Sequence, residues 1–176
     1  MLRHLVKYSV FYLLLLLNTS CAIVNSMKSG YVKNNPDDFM VEYSGDLDSL
    51  VYDGKVYVIT MEQLKEHLAK HDSSLVYAWS PYCHGSACCY PPMFEDYCKN
   101  HNLHPVVWTT YIREETLPAV GTLTAPIVFI DPKMTGLNLY PSYTGKLIRR
   151  LTQQKGEWHR FCKFKGNQFQ GYMEHL

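Results

Sequence analysis

The chain contains no C-x-x-C pair, no internal repeat and no apolar run of the roughly 20 residues that a membrane span requires. It has no charge excess either, with 17 Lys and Arg against 16 Asp and Glu in 176 residues. Each absence removes a class of function. Without a basic field there is no electrostatic footprint for nucleic acid, and no nucleic-acid partner is expected. The polar stretches are too brief for a disordered protein, and the length leaves room for one sizeable core. Six cysteines are too few for a disulfide scaffold at this length, yet Cys83, Cys88 and Cys89 lie within seven residues of one another. The position of the cysteines, rather than their number, is informative.

The N-terminus reads as an export segment. Arg3, His4 and Lys7 give a positive start, and Ser9 to Leu17 is an apolar run of the length of a signal-sequence h-region. Asn18-Thr19-Ser20-Cys21 resembles the lipobox of bacterial lipoproteins, in which the cysteine becomes the lipidated N-terminus. Asn18 stands where that pattern prefers Leu, so ordinary signal cleavage or a retained anchor stay open beside lipidation of Cys21. All three place the domain outside the cytoplasm, in the cell envelope on the periplasmic or extracellular face. Cleavage before Cys21 removes Arg3 and Lys7 and leaves an essentially neutral mature chain. The expected division is a signal peptide over 1–20, a polar tether and entry segment over 21–50, one domain over 51–156, and an aromatic C-terminal tail over 157–176.

Within the domain, Lys55–Ile59 reads as a strand. Thr60 with Glu62 and Gln63 caps a helix through about Lys70, with Leu64, Leu68 and Ala69 on one face. Leu75–Trp79 is apolar enough for a buried strand, a helix follows the cysteine cluster, and Pro105–Tyr111 is the next strand. Ile127–Ile130 and Leu137–Tyr140 flank a turn at Asp131–Gly136 and read as a hairpin. Gly145 to about Gln154 is a basic amphipathic helix with Leu147, Ile148 and Leu151 inward, and Lys146, Arg149 and Arg150 on its solvated face. The expected fold class is therefore α/β, a mixed sheet with parallel and antiparallel strands flanked by helices.

Strand 75–79 runs into Ser80-Pro81-Tyr82-Cys83-His84-Gly85-Ser86-Ala87-Cys88-Cys89. A cysteine at a strand-to-helix turn sits beside free backbone N–H groups that favour its thiolate, so Cys83 is the candidate nucleophile. His84 can add positive charge or be a solvated loop histidine, and Ser86 can place a hydroxyl near the sulfur. A regular helix starting at Cys83 would turn Cys88 and Cys89 away from it, so a Cys83–Cys88 bond requires a helix that starts late or a looped motif, which Gly85 permits. Cys88 and Cys89 are otherwise ordinary helix residues or partners of Cys98 or Cys162.

These residues reach a recognisable pattern. Trp79-Ser80-Pro81-Tyr82-Cys83 resembles the W-x-x-x-C entry of thioredoxin-fold proteins. Pro91 falls where that family's active-site helix has its kinking proline, and Thr124-Ala125-Pro126 resembles its cis-proline loop. The resemblance covers roughly residues 55–155 and implies a single thioredoxin-like domain, with Cys83 as catalytic thiol and Pro126 shaping a substrate-facing loop opposite it. The chain departs from the family in having Ser86 for the second cysteine and Tyr77 for the buried acid.

Three functions follow as expectations. The first is an exported, membrane-tethered thiol–disulfide oxidoreductase acting on exported protein thiols or disulfides. It would use Cys83, His84, Ser86, Cys88 and Pro126 and no cofactor, with Cys88 or an external thiol resolving the mixed disulfide. The second is a redox-inactive binding module that keeps the fold and holds an extended peptide at the cell envelope. The third is a soft-metal protein ligating through Cys83, His84, Cys88 and Cys89.

Overall fold

The run that ends at Trp79 forms the strand from which the rest of the sheet is best described. The computed structural model describes residues 39–83, 88–110, 112, 114–130 and 142–176. Among the described residues there are seven strands: β1 (Met40–Glu42), β2 (Val56–Ile59), β3 (Ser74–Trp79), β4 (His104–Thr109), β5 (Ile127–Ile130), β6 (Phe161–Lys165) and β7 (Gln168–Met173). They form one sheet in the order β1-β2-β5-β4-β3-β6-β7. The five strands from β1 to β3 are mutually parallel, and β6 then pairs antiparallel with β3, and β7 antiparallel with β6.

Helices cover both faces, which is why the strands read as continuous apolar runs rather than alternating ones. Helix α1 (Met61–Ala69) and helix α3 (Ser142–Thr152) lie on one face, where Leu64, Leu68, Leu147, Ile148 and Leu151 pack against Val76, Ala78, Trp108 and Val128. Helix α2 (Pro91–Asn100) and the 3-10 segment Glu114–Val120 lie on the other, where Phe94, Cys98, Leu117 and Val120 meet Leu75, Tyr77, Trp79, Val107, Ile127 and Phe129. Alternate residues of β3, β4 and β5 thus serve opposite cores. Helix α1 begins with the expected capping box: the Thr60 hydroxyl accepts from Gln63 N, and the Gln63 side chain accepts from Thr60 N. Its buried face is Met61, Leu64, His67 and Leu68, whereas Ala69 is exposed.

Three expectations are corrected. Residues 21–50 do not act only as a tether, because Met40–Glu42 is an edge strand and the short 3-10 turn Leu47–Ser49 buries Leu47 in the core. Ile127–Ile130 is not one arm of a hairpin. It lies parallel between β2 and β4, and the other expected arm, Leu137–Tyr140, lies outside the described residues, as does the turn before it. The antiparallel pair is instead β6–β7, within the stretch expected to be a tail. Its tight turn holds Gly166 at φ 54°, a conformation glycine adopts without steric cost. Among the described residues no helix is long and apolar enough to cross a membrane. The export segment and Cys21 lie outside the described residues.

Candidate functional site

Because β3 is buried over its whole length, the chain must leave the sheet where the apolar run stops, and Ser80-Pro81-Tyr82 turns it outward. The turn is fixed locally: Cys83 N donates to Ser80 O at 3.1 Å and Tyr82 N to the Ser80 hydroxyl at 3.4 Å. Cys83 is disulfide-bonded to Cys88, with their Cα atoms 5.7 Å apart, an ordinary span for this bond. His84, Gly85, Ser86 and Ala87, between the two cysteines in sequence, lie outside the described residues, so the roles expected of His84 and Ser86 concern side chains of which nothing is described.

The bond is possible because the helix starts late, as the spacing of the two cysteines requires. Helix α2 has Tyr90 as its N-cap and Pro91 and Pro92 as its first two residues. Proline suits a first helical turn because its missing N–H would be unpaired there in any case. Two consequences correct the sequence reading. Pro91 opens the helix rather than kinking it, and the helix starts eight residues beyond Cys83 rather than at it. Pro91 and Pro92 carry no N–H to offer a thiolate.

Tyr77, at the position where the family resemblance implies an acid, secures the backbone beyond the disulfide. Its hydroxyl donates to Cys89 O at 2.9 Å and accepts from Cys89 N at 3.2 Å, so both backbone groups of Cys89 are engaged by one side chain. Burial drives the Tyr77 phenol well above its usual range, and it stays protonated. The ring lies against Phe94 and Phe161, at centroid distances of 5.2 and 4.7 Å.

Cys89, Cys98 and Cys162 are unpaired thiols. Burial raises the Cys89 thiol despite the Tyr77 hydroxyl, which acts the other way. Burial, with Cys89 and Glu95 nearby, pushes Cys98 up to about 12, and burial alone does the same for Cys162. Neither Cys98 nor Cys162 pairs with Cys88 or Cys89, and the soft-metal expectation loses two ligands to the Cys83–Cys88 bond.

Pro126 is not brought opposite Cys83. It precedes β5, which is separated from β3 by β4, and Ile127 is level with Tyr77 through Val107, whereas Cys83 lies beyond Trp79 at the end of β3. The Thr124–Ala125 loop faces α2 instead. The Glu95 carboxylate accepts from Thr124 N at 3.0 Å, from Ala125 N at 2.8 Å and from the Thr124 hydroxyl. Exposed apolar side chains gather along the chain near the disulfide: Tyr82 beside Cys83, then Tyr90 and Met93 at the start of α2.

Sequence reasoning missed a second group, Asp48, His67, His71 and His104, at the opposite end of the sheet. The four-residue spacing of His67 and His71 along a helix was the available signal. Burial lowers the His67 imidazole against the pull of Asp48, and burial with His71 and His67 alongside takes His104 down to about 4. No protein-family model, no curated protein and no solved structure matches the chain.

Proposed function

We propose that the protein is a thiol–disulfide oxidoreductase of the thioredoxin-like class, with Cys83 and Cys88 as its redox pair. The observation that carries this reading is the Cys83–Cys88 bond, just beyond the end of the interior strand β3, with exposed Tyr82, Tyr90 and Met93 close by along the chain. A bond that closes so short a loop restricts the unfolded chain by about 2 kcal/mol, the low end for a disulfide. Apolar side chains beside a disulfide suit a protein substrate.

In the bonded form a substrate thiolate attacks Cys83 Sγ, and Cys88 leaves as thiolate and takes up a proton. A second substrate thiolate then attacks the substrate sulfur of the mixed disulfide, releasing Cys83 and forming the substrate disulfide. Two electrons pass from the substrate dithiol to the Cys83–Cys88 pair, and run backward the same steps reduce a substrate disulfide. The export pattern ending at Cys21 supports a further part of the proposal, that these substrates are exported proteins met at a lipid-anchored site on the cell envelope.

One feature favours a second reading, a binding module. Pro91 and Pro92 withhold the N–H donors that would stabilise a thiolate. Trapping separates the two. With Cys88→Ser, attack by reduced Cys83 on a protein disulfide should leave a mixed disulfide that survives denaturation and disappears with reductant or with Cys83→Ser. Non-covalent capture of a partner that persists in Cys83→Ser, with no covalent species in Cys88→Ser, overturns the oxidoreductase in favour of the binding module.

A further inference from the structure

Asp48, His67, His71 and His104 come from three separate parts of the chain. Asp48 lies in the 3-10 turn Leu47–Ser49, His67 in α1 with His71 just beyond its end, and His104 is the first residue of β4. One potential ligand atom from each lies within 4.8 Å of all the others. His71 Nε2 is 2.8 Å from Asp48 Oδ1, His67 Nδ1 is 3.5 Å from that same oxygen, and His104 Nε2 is 2.9 Å from His67 Nε2. The His71 and His104 rings stack at 3.5 Å and 5°, and both meet the His67 ring edgewise.

Protons alone satisfy this arrangement poorly. His67 is 5% exposed, and its Nδ1 has no hydrogen-bond partner, the carboxylate oxygen at 3.5 Å being too distant. With His104 Nε2–H donating to His67 Nε2, the one N–H of a neutral His67 is left on Nδ1, which has no hydrogen-bond partner. Protonating both of its nitrogens instead places a positive ring in contact with two other histidines. A cation held by one lone pair from each imidazole and by the Asp48 carboxylate gives this cluster a common partner.

The separations fit a metal. Four ligands about 2.0–2.1 Å from zinc stand about 3.3 Å apart in a tetrahedron; one ligand atom from each of the four residues lies within 4.8 Å of the others, and His71 Nε2 is 2.8 Å from Asp48 Oδ1, so side-chain rotation can bring all four onto one ion. Lys70 brings an ammonium close by. Its Nζ pairs with Asp46 at 2.7 Å and stands 3.9 Å from Asp48 Oδ2, leaving Oδ1 facing the histidines.

We infer that Asp48, His67, His71 and His104 form a four-ligand site for a zinc-class divalent cation, which pins the 47–49 turn and the end of α1 to the start of β4. Three imidazoles and a carboxylate suit zinc, and a full set of four protein ligands marks a structural rather than a catalytic centre. The site contains no cysteine and stands at the other end of β3 and β4 from Cys83, so it holds or fails independently of the thiol chemistry.

The test uses the full chain, purified without a histidine tag, stripped with chelator and titrated with zinc alone, then with cobalt(II). The expected results are one zinc per chain and a Tm raised by about 5–10 °C at about a hundred times the Kd. The cobalt form should show visible ligand-field absorption without a thiolate charge-transfer band. His71→Ala and His104→Ala should each weaken zinc binding at least tenfold; both residues are only partly buried, whereas His67→Ala endangers folding itself. Absence of stoichiometric zinc, unchanged affinity in both variants, or a thiolate band that vanishes in Cys83→Ser overturns the assignment. None of these results decides whether Cys83 exchanges disulfides.

Discussion

Tyr77 ties the strand that leads to the disulfide to the residue that follows it. Tyr77→Phe keeps the stacked ring and deletes both bonds to the Cys89 backbone, leaving a half-buried N–H and C=O without their partner. The expected cost is about 1–3 kcal/mol, measured as a lower denaturation midpoint with an unchanged slope. The thiols make a second prediction. Cys98 and Cys162, pushed up to about 12 by burial, should resist alkylation in the native protein at neutral pH and react fully once it is unfolded, with peptide mass mapping as the readout. Native labelling of either at the rate of a free thiol would show that the core opens there. At this scale much was legible. Cys83 could be located because an apolar strand ends four residues before it, and the late helix start that its bond to Cys88 requires is written in Pro91-Pro92. His67 was not legible, because a histidine on a buried helix face is indistinguishable in sequence from one pointing to solvent.

Single elements carry their own tests. Thr60→Ala removes the hydroxyl half of the α1 capping box and should cost about 1 kcal/mol, seen as a small fall in Tm. Glu95 is a link between elements, since one carboxylate on α2 collects two backbone N–H groups and a hydroxyl from the loop that enters β5. Glu95→Gln keeps an oxygen acceptor but loses the charge that strengthens these bonds, so it should destabilise less than Glu95→Ala. Equal stability of the two variants would mean that the charge contributes nothing there. The sequence marked β5 as a strand but not its partners. A proline before an apolar run shows where a strand starts, whereas its neighbours are chosen by which apolar faces remain to be covered, and here these belong to β2 and β4.

For the whole molecule, β6 and β7 are part of the fold rather than an appendage. Phe161, Cys162 and Phe164 are almost fully buried, and replacing either phenylalanine alone by alanine should cost about 3–5 kcal/mol, against a total of about 5–15 for a domain. A chain ending at residue 156 should therefore show no cooperative thermal transition, and a sharp transition in that truncation would contradict the assigned sheet. The strand pair escaped sequence reading because a register shift between Lys163 and Phe164 breaks the period of two. The position of β6 also orders events during folding. The loop between Cys83 and Cys88 is short and closes rapidly, while β3 gains its antiparallel neighbour only when Phe161 reaches Tyr77 from 84 residues further along the chain. During folding the disulfide can therefore form while one edge of β3 is still bare, and β6, backed by β7, is the strand that comes to shield it.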